Sequence, residues 1–108
     1  MMKVVEIVSF EAATGISDAD MLAAMKRTEA FLHTQPGCLM ALLSKGEDGR
    51  WREIVLWRDM ETAQAGSKAF EAQDFLPEVM AVIKADSLTL HHEPVQWEMA
   101  ARERLQWG

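Results

Sequence analysis

The chain has 108 residues, and its 11 Lys and Arg against 17 Asp and Glu give a formal net charge of −6. This length allows one domain, and a hydrophobic fraction of 49% is far above that of a disordered chain. The acidity argues against nucleic acid as a partner, because phosphate-binding surfaces need clustered Lys and Arg. A single cysteine cannot form an internal disulfide, which indicates a reducing compartment.

The apolar stretches of the chain predict neither a secretory signal nor a membrane span. The first ten residues include a Lys and a Glu and lack the long uninterrupted apolar core of a signal. The longest apolar run covers residues 38–43, far short of the ~20 residues that cross a bilayer. We therefore expect a cytoplasmic protein that does not contact a membrane.

The first third of the chain predicts a strand followed by a helix. Residues 3–10 are rich in Val and Ile and alternate loosely, as strands do. Ser17 is a suitable N-cap for a helix whose apolar residues recur at helical spacing as far as Leu32. The Gln-Pro-Gly stretch at 35–37 should end that helix.

The middle of the chain predicts a hairpin. Residues 38–45 and 50–58 have the composition of strands, and Asp48-Gly49 between them is a strong turn signal.

The last third predicts two helical segments and a fourth strand. Asp59 should cap a helix with a stripe of mostly small residues, which lets the helix approach a sheet closely. The stripe consists of Met60, Ala63, Gly66 and Phe70. A short helical segment should begin at residues 74–77, and a final strand should cover residues 87–93 and stop at Pro94.

The order strand, helix, strand, strand, helix, strand predicts the ferredoxin-like α+β arrangement, a four-stranded antiparallel sheet with helices on one face. This domain should cover residues 1–95. Residues 96–108 form a tail in which Trp97, Ala101 and Leu105 recur every four residues. We expect a short amphipathic helix there that packs on a partner subunit, since Trp97 is costly to leave in water. A frayed chain end is the alternative.

Two predicted strands are apolar on both faces, although one face of such a sheet should be polar. These positions are Leu39, Met40, Ala41, Leu42 and Leu43 on the second strand and Ile54, Val55, Leu56 and Trp57 on the third. The second face therefore needs a cover. An identical sheet from another copy, giving a two-fold homodimer, is the favoured cover, and a hydrophobic ligand groove is the alternative.

Four segments carry a family resemblance: QPGCL at 35–39, GEDGRW at 46–51, VLWRDMETA at 55–63 and LTLHH at 88–92. They resemble the dimeric α/β-barrel superfamily, and within it the antibiotic-biosynthesis-monooxygenase-like proteins. The resemblance implies dimers whose sheets pack face to face, with a small pocket between the sheet and the helices of each subunit. Some members of the family oxidise aromatic polyketides without metal or flavin, others degrade haem, and others have no known activity.

The residues of this chain match the family's sites only in part. Trp57 matches a tryptophan that lines the pocket in many members. The cofactor-free oxygenases have an asparagine where Glu53 stands, and the haem-degrading members have a histidine near Gly66. The chain contains no asparagine and no tyrosine. Haem degradation is therefore disfavoured, and we expect no cofactor and no metal.

Four residues are the candidates for a site: His92 as a catalytic base, and Trp57, Glu53 and Phe70 as substrate-binding residues. The imidazole of His92 should point inward with Leu88 and Leu90, and its pKa near working pH suits a general base. A histidine at a strand end that bonds to backbone or water is the alternative. For Trp57 the favoured alternative is a core aromatic residue that anchors strand to helix.

The other chemistry-bearing side chains have simpler explanations. Glu53 and Glu6 could take a proton from an acidic carbon or a phenol, but the favoured interpretation is that each pairs with an arginine such as Arg52 or Arg58 or lies at the dimer rim. His91 should point to the opposite face from His92, so the two cannot share a metal. The cysteine, Cys38, should be a buried structural residue, because no histidine of the fourth strand can reach it within one subunit.

We therefore predict a small-molecule-binding protein, either a cofactor-independent monooxygenase or a proton-abstracting enzyme acting on a small aromatic substrate. A non-catalytic dimeric protein of the same fold is the alternative, and a pocket filled by side chains would favour it. An RNA-recognition domain shares this element order and would display aromatic residues beside basic ones, as Trp51 stands between two arginines. The acidity and the missing glycine-aromatic run argue against it.

Overall fold

The structure is a computed structural model that describes residues 2–99. Its elements are β1 (Val4–Phe10), α1 (Asp18–Leu32), β2 (Cys38–Lys45), β3 (Trp51–Trp57), α2 (Met60–Glu71), α3 (Leu76–Val82), a 3₁₀ turn (Ala85–Ser87) and β4 (Thr89–Pro94). The strands form one antiparallel sheet in the order β2-β3-β1-β4. This is the predicted ferredoxin-like α+β fold. None of the helices in this part of the chain is long and apolar enough to cross a membrane.

Both long helices begin at the predicted caps. The Ser17 hydroxyl accepts a hydrogen bond from the Asp20 amide at 3.1 Å, and the Asp20 carboxylate accepts one from the Ser17 amide at 3.2 Å. Asp59 and Thr62 make the same reciprocal pair at the start of α2. Each pair satisfies amide donors that have no partner within the helix, so local sequence alone determines where these helices start.

The hairpin between β2 and β3 is built as predicted. Gly49 adopts a φ of 82° in the turn, a conformation that glycine reaches without a Cβ penalty. The ladder then pairs Lys45 with Trp51 and continues to Cys38 opposite Trp57. A register shift between Cys38 and Met40 places Leu39 in a bulge at the far end.

The fourth strand starts two residues later than predicted and includes Pro94. Ser87 belongs to the 3₁₀ turn, where its hydroxyl accepts from the Glu11 amide at 2.8 Å and donates to the Lys84 carbonyl at 2.6 Å. These bonds hold Ser87 out of the ladder. Pro94 pairs with Val4 on an edge strand, where a residue without an amide donor is tolerated.

The hydrophobic core lies between the sheet and the helices. Its largest fully buried side chains are those of Phe10, Met21, Val55 and Trp57. Trp51 belongs to the same core and is 5% exposed. It is therefore unable to stack on a base, which removes the feature that suggested RNA recognition.

The opposite face of the sheet carries apolar side chains from three strands: Val5 and Ile7, Met40 and Leu42, and Ile54 and Leu56. Met40 and Leu42 are 46% and 56% exposed. Within residues 2–99, this end of the face is therefore left open to solvent.

The predicted tail helix lies mostly outside the described residues. Residues 95–99 follow β4 without regular secondary structure, and Trp97 is 78% exposed. Residues 100–108, which include Ala101 and Leu105, are not described. The packing of this tail on a partner stays a prediction.

Gly66 allows α2 to lie directly on Trp57. A Cβ at this position would overlap Cη2 of the indole and lie 2.9 Å from Cζ2. The close approach explains a glycine in a helix interior, where it costs about 1 kcal/mol relative to alanine.

We predict that Gly66→Ala destabilises the protein by about 1–3 kcal/mol through overpacking, measured by urea unfolding. Ala65→Gly, at the exposed neighbouring position, is the control: it measures the effect of an alanine–glycine exchange on helix propensity without the contact to Trp57. If Gly66→Ala instead raised stability by about 1 kcal/mol, propensity would outweigh contact and the close approach would not constrain the fold.

Candidate functional site

A cavity of about 380 Å³ lies between the sheet and the helices. Most of its wall is apolar, and the lining includes Phe10, Phe31, Val55, Trp57, Phe70 and Val79. Three lining side chains, Met80, Leu88 and Leu90, are also exposed at the surface. The cavity therefore opens between α3 and β4. Its size and lining are typical of a small-molecule site, and it is not filled by side chains.

Two carboxyl groups from neighbouring strands line the sheet side of this cavity. Glu6 lies on β1 opposite Val55, and Glu53 lies on β3 opposite Val8. Both point toward the helices because they share the register of core residues such as Phe10 and Trp57. Carboxyl groups at such positions are rare, since burial disfavours their charged form.

Glu6 is held by two side chains. The indole Nε1 of Trp57 donates a hydrogen bond to Glu6 Oε1 at 3.1 Å. His92 Nε2 lies 3.2 Å from the same oxygen, within hydrogen-bonding distance. Glu6 is only 8% exposed. These two contacts therefore replace hydrogen bonds to water that its carboxyl group loses on burial.

The expected pairing of the two glutamates with arginines is wrong. Arg52 pairs with Asp48 at 3.0 Å, and Arg58 pairs with Asp59 at 3.4 Å. Arg52 lies on the opposite face of the sheet from Glu53, because successive residues of a strand alternate between faces. Within residues 2–99, Glu53 has neither a hydrogen bond nor an ion pair.

Burial, together with the negative charge of Glu6, raises the pKa of Glu53 to about 7. Burial is the larger cause, because a carboxylate without a cationic partner loses hydration that nothing replaces. A substantial fraction of Glu53 is thus protonated near neutral pH. It can accept or donate a proton there, as a group in general acid–base catalysis must.

Thr28 lies on the helix side of the cavity. The residue is 5% exposed, and its Oγ1 has no hydrogen-bond partner in the described part of the chain. Thr28 is not among the site residues predicted from the sequence. The available signal was a polar residue on the apolar stripe of α1, at helical spacing from Met21, Met25 and Leu32.

The structure brings three of the four predicted site residues to the cavity wall: Trp57, Glu53 and Phe70. Phe70 also packs edge-to-face on Phe31, with ring centroids 5.8 Å apart. His92 points toward the helix side, as its register predicts, but it reaches the cavity through Glu6 and is not part of the wall. His91 lies on the opposite face, where it approaches Glu93 at 3.5 Å.

Cys38 lies apart from this cavity, in a shallow depression at the other edge of the sheet. It is half-buried rather than buried, and burial raises the pKa of its thiol. A thiol with a raised pKa is a poor nucleophile, which agrees with a structural residue. The described residues contain no group of three or more metal-ligating side chains.

The raised pKa of Glu53 predicts a pH-dependent stability. The folded state keeps a proton that the unfolded chain loses near pH 4.5, so stability falls as pH rises from about 4.5 to about 7. Glu53→Gln should remove this loss. The variant should be more stable than wild type by about 3 kcal/mol at pH 8 and nearly equal to it at pH 4.

Urea unfolding at fixed protein concentration over this pH range measures the difference. Glu71→Gln is the matched control, because Glu71 lines the same cavity and is exposed. Parallel pH profiles for wild type and Glu53→Gln would contradict the raised pKa.

Comparison with known proteins gives similarity at the level of structure alone. No family model matches the chain, and no curated protein matches it. SnoaB, a cofactor-independent oxygenase from Streptomyces nogalater, superposes with a TM-score of 0.63 at 23% identity, covering 95% of this chain and 100% of its own.

Two further solved structures extend the comparison. A candidate antibiotic biosynthesis monooxygenase from Bordetella bronchiseptica has a TM-score of 0.72 at 20% identity, covering 86% of this chain and 96% of its own. A Nitrosomonas europaea protein of unknown function has a TM-score of 0.69 at 13% identity, covering 95% and 98%. The chain therefore has the ferredoxin-like α+β fold of the antibiotic biosynthesis monooxygenase proteins.

Proposed function

We propose that the protein is a cofactor-independent enzyme, of the oxygenase type, that abstracts a proton from a small aromatic substrate bound between the sheet and the helices. The observation that carries this proposal is Glu53. Its carboxyl group lines an open, mostly apolar cavity, and its pKa is raised to about 7. General bases work best with a pKa near the operating pH.

Glu53 is the base in this proposal, whereas the sequence favoured His92. The reason is access, because Glu53 lines the cavity and His92 contacts it only through Glu6. His92 and Trp57 then act as positioning residues that fix Glu6. The charge of Glu6 in turn helps to keep Glu53 available as an acid or a base near neutral pH.

The rest of the wall suits an aromatic substrate. Trp57 and Phe70 line the same cavity as Glu53, and aromatic rings stack favourably on such groups. A phenol or a carbon acid that loses its proton to Glu53 becomes an electron-rich anion. Oxidation of a methylene to a carbonyl by dioxygen then consumes one O₂ and releases one water, so no external reductant is needed.

The fold comparison supports the oxygenase type, because SnoaB is a cofactor-independent oxygenase of similar architecture. The open cavity argues against a purely structural role, for which a filled interior would be the supporting feature.

The test is oxygen uptake with a panel of acidic phenols and aromatic methylene compounds. We expect Glu53→Gln to lower kcat by about 10²–10⁴-fold, the usual contribution of a general base. Glu71→Gln, the matched control, should keep most of the activity. The wild-type rate should rise with pH through about 7, as Glu53 loses its proton. Full activity in Glu53→Gln would exclude it as the base.

A homodimer through the free sheet face is part of the same proposal. Six apolar side chains from β1, β2 and β3 share this face, and Met40 and Leu42 are exposed on it. A second copy offers the same surface, so a two-fold axis would bury both. Such burial contributes roughly 25 cal/mol per Å² of apolar area.

We predict that Leu42→Glu converts a dimer into a monomer, measured by sedimentation velocity. Leu22→Glu is the matched control, because Leu22 on α1 is 49% exposed and lies on the other side of the molecule. The control should sediment as wild type does. A monomeric wild type, or a dimeric Leu42→Glu, would rule out this interface.

A further inference from the structure

We propose that Thr28 anchors the ligand of the cavity, and that this ligand is an uncharged aromatic compound with an oxygen group at the end remote from Glu53. The inference rests on the proposed use of the cavity as a ligand site. It does not require that the ligand react there.

The first observation is the hydroxyl of Thr28. Its Oγ1 is buried and unpartnered within residues 2–99, although a threonine in a helix can bond to the carbonyl four residues earlier. A buried hydroxyl without a partner costs roughly 1–3 kcal/mol. Thr28 lines the cavity, and a rotation of its side chain would bring this enclosed hydroxyl to a ligand oxygen that satisfies it.

The second observation is the distribution of polar groups around the cavity. Glu6 and Glu53 project from the sheet, whereas Thr28 projects from α1 on the helix side. The wall between them is built mainly of aromatic and aliphatic side chains, with Phe31 and Phe70 among them. A flat ring system with one polar group at each end matches this order.

The third observation is charge. The described lining contains three carboxyl groups, from Glu6, Glu53 and Glu71, and no Lys, Arg or His. An anionic ligand would therefore lose its hydration next to negative charge, with no cation to replace it. This excludes carboxylates and phosphates as the ligand class.

The probes are three naphthalenes that share one ring system: 2-naphthol, 2,6-dihydroxynaphthalene and 6-hydroxy-2-naphthoate. Equilibrium dialysis at pH 7.5 measures their affinities. In wild type we expect the second hydroxyl to tighten binding at least 5-fold relative to 2-naphthol. The carboxylate should bind at least 10-fold more weakly than the diol.

Thr28→Val replaces the hydroxyl by a methyl group of similar size. We expect it to abolish the preference for the diol while 2-naphthol binds as before. Ser67→Ala is the matched control, because Ser67 lines the same cavity but is only half-buried. It should keep the preference. Without ligand, Thr28→Val should also raise the Tm by a few degrees, since it removes an unsatisfied buried group.

If Thr28→Val still preferred the diol, the anchoring role of Thr28 would be overturned. Stronger binding of the carboxylate would overturn the charge argument, and no binding of any probe to wild type would overturn the ligand class. These measurements involve no turnover. Full activity in Glu53→Gln would contradict the proposed catalytic base, and it would leave the outcome of these binding measurements unchanged.

Discussion

The hydrogen bond from the Trp57 indole to the buried carboxyl group of Glu6 is the contact on which the site depends. It ties β3 to β1 on the helix side of the sheet, and it fixes the indole so that α2 can lie against it. That approach is possible only because residue 66 is a glycine. One side chain thus belongs to the core, to the wall of the cavity and to the polar network behind it.

The same contact creates an imbalance between the two glutamates. Glu6 has Trp57 and His92 as partners, whereas Glu53 has none in the described part of the chain. Two carboxyl groups in one apolar space raise each other's cost of ionisation. Burial, together with the charge of Glu6, raises the pKa of Glu53 to about 7. This division suits acid–base chemistry, and it makes the cavity unfavourable for anions.

Stability and function are coupled through these residues. Within residues 2–99, the half-buried carboxyl group of Glu53 and the buried hydroxyl of Thr28 have no hydrogen-bond partner. Such groups destabilise the unliganded fold, and proteins keep them where a ligand or a reaction needs them. The apolar face of the sheet on the side away from the helices is also unfavourable when it is exposed to water. A partner sheet would stiffen the strands that carry Glu6 and Glu53, so assembly and site geometry would depend on the same three strands.

The sequence by itself determined the order of the elements, their caps at Ser17 and Asp59, the hairpin turn at Gly49, and the inward register of Trp57 and His92. These features follow from local chemistry and from the two-residue period of a strand. Only the tertiary structure decided which side chains contact one another in the site. Strand β1 lies between β3 and β4, so Glu6 meets Trp57 and His92 rather than an arginine. Thr28 lines the cavity because α1 lies on its helix side, facing the strands across it. Such contacts join residues up to 86 positions apart, and no local pattern encodes them.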